Sequence, residues 1–102
     1  MSNVMPISDR ARDVVKGGYD LHVHSGPDVM KRIASDLEIA AAFEKCGLAG
    51  YVIKHHYVPS GGRAALAREV VPSVKTMGAI VLNAAVGGMN ALAVEMAARD
   101  GI

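Results

Sequence analysis

Three stretches rich in strand-forming residues begin near positions 19, 50 and 79, and each leads through a loop into a helix-like stretch. That spacing, about 30 residues, is the length of one strand plus its crossover helix in a parallel βαβ unit. The repeat predicts an α/β fold of three parallel βα units over residues 19–102, preceded by a helical lead-in over residues 1–18, all in one domain. The last unit stops at Gly101-Ile102, where a fourth strand is expected. Three parallel strands have two open edges and cannot close into a barrel. The expectation is therefore a part of a larger fold, or a homo-oligomer that covers the edges.

Local signals divide each unit. Ser8 is placed to cap a helix over residues 9–16, stopped by Gly17-Gly18. Residues 19–24 (YDLHVH) alternate in the strand period, with Asp20, His22 and His24 on one face and Tyr19, Leu21 and Val23 on the other. Ser35 and Glu38 form a capping box for a helix running to Gly47, with Cys46 expected to pack in it rather than react. Residues 50–56 (GYVIKHH) read as the second strand. Pro59-Ser60-Gly61-Gly62 is a turn before a helical stretch with Leu66, Val70 and Val71 on one side, ended or bent by Pro72. Residues 79–83 (AIVLN) read as a third strand buried on both faces. Asn90 is placed to cap a last helix over residues 91–99.

Composition narrows the classes. With 51% hydrophobic residues and 21% charged, disorder is excluded, and a net charge of +1 from interspersed acids and bases argues against nucleic acid as a partner. No stretch approaches the roughly 20 apolar residues of a membrane span, and residues 1–8 contain no signal-peptide core. A single cysteine excludes an internal disulfide and suits a reducing compartment, so a cytoplasmic protein acting on a small molecule is expected.

All four histidines fall at the carboxyl ends of expected strands, the face on which parallel α/β folds bind ligands. In His22-Val23-His24, residues two apart on a strand point the same way with Cα atoms about 6.6 Å apart, from a rise of about 3.3 Å per residue. Two neutral imidazoles so placed can converge on one divalent cation; the alternative is a pair of histidines satisfied at a strand end. Asp20 can orient one imidazole from beneath. In the second strand, placing Val52, Lys54 and His56 on the ligand side spares Lys54 a costly burial against the helices. Lys54 can then bind an anionic group, or else extend to solvent. Asp28 is a polar candidate near the histidines or a turn residue of Gly26-Pro27-Asp28. Arg63 stands at a helix start, where it holds an anion or lies solvated, and Asn83 ends the third strand at the pocket edge.

The run Asp20-Leu21-His22-Val23-His24-Ser25 resembles the opening motif of the amidohydrolase superfamily, and also that of polymerase-and-histidinol-phosphatase domains. The runs DLHVHSGPD, VIKHHYVPS and AIVLNAAVGGMN together resemble uncharacterised amidohydrolase-like proteins, over most of the chain from Tyr19 onward. The resemblance implies a partial (β/α)8 TIM barrel with His22 and His24 as ligands of a divalent metal, zinc first, with manganese, iron or nickel as alternatives. It further implies hydrolysis of a C–N or C–O bond in a small polar substrate. It names no catalytic base, because these families take that group from later strands. The phosphatase-like alternative would use Lys54 and Arg63 to hold phosphate. A third reading is a non-catalytic, self-associating α/β module.

Overall fold

The computed structural model describes residues 5–102; the first four residues of the expected lead-in and of the stretch read for a signal peptide lie outside the described residues. Three parallel strands, β1 (Tyr19–Val23), β2 (Gly50–Ile53) and β3 (Lys75–Met77), form one sheet in the order β1-β2-β3. Helices α1 (Asp9–Val15), α2 (Asp36–Cys46), α3 (Gly61–Val70) and α4 (Ala91–Arg99) alternate with them, and a short 3-10 turn spans Ala84–Val86. The chain is thus a mixed α/β structure built on a three-stranded parallel sheet. No described helix is long and apolar enough to cross a membrane.

The helix ends follow local chemistry. The Ser8 hydroxyl accepts from the Ala11 amide, and the Asn90 side chain accepts from that of Ala93. Ser35 and Glu38 close the capping box reciprocally, at 3.1 and 3.0 Å. Gly47, in the left-handed region at φ 74°, ends α2, a conformation in which any side chain is strained.

The core lies between the sheet and helices α2 and α3. Tyr51 and Ile53 of β2 are wholly buried against Ala40, Ala64, Val71 and Val74, and Phe43 meets the Tyr51 ring edge-on at 4.9 Å. The small residues Ala64 and Ala67 let α3 sit close to the sheet, so the helix turns Leu66 and Val70 outward. Cys46, expected to pack, is exposed at the last turn of α2. Of the three apolar residues of β1 only Val23 is buried; Tyr19 and Leu21 remain 52% and 69% exposed.

The third strand is not where its apolar run placed it. It pairs through Lys75–Met77 with Gly50, Tyr51 and Val52, and residues 79–83 carry no strand and are only half-buried or exposed. Ser60 is the physical reason. Its hydroxyl donates to the Ile53 carbonyl at 2.6 Å and accepts from the Ala79 amide at 2.9 Å, while its own amide donates to the Ala79 carbonyl at 3.0 Å. Ala79 therefore spends both backbone groups on the turn before α3 and cannot continue the ladder. Gly78 permits this approach, since a Cβ there would lie 2.6 Å from the Gly61 Cα.

Candidate functional site

The strand ends carry His22, His24, Lys54 and His56 to one face. β2 takes the phase in which Tyr51, Ile53 and His55 are buried, leaving Val52, Lys54 and His56 half-buried opposite the helices. The Lys54 amide donates to the Val23 carbonyl at 2.8 Å, which extends the β1–β2 pairing and brings the two strand ends level. The Asn83 amide group holds the His56 carbonyl at 3.0 Å from the far side.

His22 and His24 converge. Their Nε2 atoms are 3.2 Å apart, with ring centroids 5.1 Å apart at an interplanar angle of 62°. Two nitrogens each about 2.0–2.1 Å from a tetrahedral cation would be separated by about 3.3–3.4 Å, so the spacing fits a chelating pair. His56 stacks on His24 instead of joining it, at 4.9 Å and 26°. Among the described residues no three His, Cys, Asp or Glu side chains are grouped to hold a metal. The residues therefore fit a divalent cation as two ligands of an incomplete set. His24 Nδ1 is buried without a hydrogen-bond partner among the described residues.

Burial lowers the pKa of His24 below 6.5, and the charge of Arg32 pushes the same way, followed by His56, His22 and Lys54. A depressed pKa keeps the imidazole neutral, the form in which it binds a cation.

Asp20 leaves this face. β1 shifts register between Asp20, which aligns with Tyr51, and Val23, which aligns with Ile53. Three steps on β1 match two on β2, so the alternation changes phase, as at a β-bulge. The Asp20 carboxylate accepts from the His22 backbone amide at 3.1 Å rather than from an imidazole.

Asp28 and Arg63 are drawn into separate buried pairs. Asp28 receives the Arg32 Nε–H at 2.7 Å and the Val29 amide at 2.6 Å, and lies 3.3 Å from His55 Nε2. The Arg32 hydrogen bond is the main reason that its carboxyl titrates at about 2. His55 Nδ1 accepts two backbone amides, from Tyr57 and Val58, which leaves Nε2 to carry the proton toward Asp28. Arg63 is mostly buried, with 17% of its side chain exposed, and is not open to an anion. Its Nε and Nη2 clamp the two oxygens of Asp36 at 2.8 Å each, and Nη2 also donates to the Ser25 carbonyl at 3.1 Å.

Sequence reasoning did not single out Arg32 or Asp36. Arg32 had a faint signal, four residues after Asp28 in a polar loop. The partnership of Asp36 with Arg63, 27 residues away, had none.

Residues 17–102 match a family described as a family of unknown function, DUF6282. No curated protein and no solved structure matches the chain.

Proposed function

We propose that this chain, which belongs to the DUF6282 family of unknown function, is the opening portion of a metal-dependent hydrolase of the amidohydrolase kind built on a (β/α)8 barrel. The observation that carries the reading is the 3.2 Å approach of His22 Nε2 to His24 Nε2 at the carboxyl end of β1. A divalent cation, zinc first, would supply the Lewis acidity that makes water nucleophilic near neutral pH and polarises a scissile C–N or C–O bond.

The chain's own residues prepare that site. His22 and His24 supply two neutral nitrogen donors. His56, stacked on His24 and held through its carbonyl by Asn83, fixes the plane of the second imidazole. Lys54 adds a positive charge for an anionic substrate group. The phosphatase-like alternative loses support, because the Arg63 assigned to phosphate is committed to Asp36. The self-associating module keeps one observation in its favour, the exposure of Tyr19 and Leu21 on an edge strand. Sedimentation as a dimer that a charge placed at Leu21 dissociates would favour it.

The test is elemental analysis of untagged protein, wild type beside His22→Ala/His24→Ala. Near-stoichiometric divalent metal that the double substitution abolishes is the expected result. Metal content unchanged by the substitution, or absent from a chain extended through later strands, would refute the assignment.

A further inference from the structure

A fourth histidine, His55, lies buried behind the other three. Its side chain is 5% exposed, on the helix side of the β2 end, one residue before His56. Both ring nitrogens are engaged. Nδ1 accepts the Tyr57 and Val58 amides at 3.0 and 3.1 Å, which winds the chain around His56. Nε2 lies 3.3 Å from Asp28 in the loop after β1. A nitrogen that accepts from two amides carries no proton of its own, so the neutral ring is the Nε2–H tautomer, with its N–H on the side of the carboxylate. Asp28 is held in place to receive it, by Arg32 Nε at 2.7 Å and the Val29 amide at 2.6 Å.

These contacts close a circuit through the site. Residues 27–33 hang from a base fixed at Gly26, which bonds Ala34 and Asp36 through its amide and carbonyl. Among the described residues, the approach of Asp28 to His55 is the one polar contact that joins this excursion to the rest of the chain. His24 opens the loop after β1, and His56 lies at the start of the loop after β2. The two loops are therefore tied twice, by Asp28 with His55 and by the stack of His56 on His24. The first tie is shut away from water, its side chains 1% and 5% exposed, where an electrostatic contact is strongest. The second joins two half-buried rings with no charge pair between them. The buried contact sets where the loops lie, and the stack follows from it.

We infer that His55 is a positioning residue for the histidine pair. Through Asp28 it sets the loop after β1 against the loop after β2, and so keeps His56 on the His24 ring and that ring in the plane from which it meets a cation. This deepens the metal-dependent reading and rests on it for the cation, though not for the ring geometry. His55 itself touches no metal or substrate. It acts as groups behind a metal ligand do, by fixing the orientation of the side chain in front.

The experiment is NMR on the metal-free full chain, reading long-range proton–nitrogen correlations of the four imidazoles and the nuclear Overhauser cross-peak between the His24 and His56 rings. Wild type is expected to show His55 protonated at Nε2 and bare at Nδ1, with the cross-peak present. His55→Asn separates the two halves of the brace. Its side-chain oxygen falls where Nδ1 stood and keeps the turn to Tyr57 and Val58, as asparagine does in such turns, but it is too short to meet Asp28. The cross-peak should vanish, and zinc, titrated against a competing chelator, should bind about tenfold more weakly. A residue that only stabilised the fold would lower the urea midpoint and leave both readings in place. A wild-type His55 protonated at Nδ1 overturns the inference without any variant having to fold. So does a cross-peak that persists in His55→Asn, or a zinc affinity unchanged there beside tight wild-type binding. The two readings fail separately. Wild type that binds no zinc but loses its cross-peak in His55→Asn would keep the brace and remove the hydrolase; zinc bound equally by both proteins would do the reverse.

Discussion

Replacing Asp36 by asparagine keeps the shape of the side chain and removes the charge that Arg63 grips. In the native structure two N–H···O bonds of 2.8 Å join the groups, and the side chains are 9% and 17% exposed. Breaking a buried pair on one side costs about 3–5 kcal/mol, since the remaining charge stays desolvated. Arg63 retains some contact with water and its bond to the Ser25 carbonyl, which brings the figure toward the lower end. Asp36 also opens α2, where a carboxylate at the helix N-terminus contributes about 0.3–1 kcal/mol. The expected loss is about 3 kcal/mol, a large fraction of the roughly 5–15 kcal/mol that stabilises a domain. Urea unfolding of the whole chain reads it, with Arg99→Ala as the control. The Arg99–Glu95 pair is 71% and 54% exposed, and its loss should cost under about 0.5 kcal/mol. In a cycle with Arg63→Met, the coupling between positions 36 and 63 should exceed about 1.5 kcal/mol. A loss in Asp36→Asn no larger than in the Arg99 control, or a coupling near zero, would show that the pair does not brace the strand end.

Two further outcomes follow from the same contacts. Asp28 titrates at about 2 in the folded chain against an ordinary 3.8, so its contribution to stability is complete above the ordinary value and lost as pH falls toward 2. Unfolding midpoints measured from pH 5 to pH 2 should fall more steeply in wild type than in Asp28→Asn; parallel curves would disprove the linkage. Ser60→Ala removes the hydroxyl bonds to Ile53 and Ala79 at a fully buried position and should cost about 1–3 kcal/mol by urea unfolding, whereas a loss under about 0.5 kcal/mol would mean that the turn does not depend on them.

What the sequence made legible was local. The capping box at Ser35 and Glu38, the Ser8 and Asn90 caps and the Gly47 stop are decided within a few residues, and each appears at its expected position. The phase of β2 was also readable, because a lysine two positions from a histidine leaves one inexpensive arrangement. The misplacement of β3 has the opposite origin. Residues 79–83 are apolar enough for a strand, but Ser60, 19 residues upstream, takes the backbone groups of Ala79. The fates of Arg63 and Asp20 were hidden for the same reason. One depends on a partner 27 residues away, and the other on a register shift that no alternation pattern displays.

The loop between His24 and α2 is closed at its own base: the Gly26 amide donates to the Ala34 carbonyl, and the Gly26 carbonyl accepts from the Asp36 amide. Its ends are thus fixed independently of what the excursion contains. Lengthening a loop already closed costs only about 0.6 kcal/mol per doubling. Descendants of such a sequence can exchange the tip around Val29, Met30 and Ile33, all of them exposed, while the histidines stay in place. The loop tip and the histidine pair are then free to vary at different rates, with the division between them drawn at Gly26.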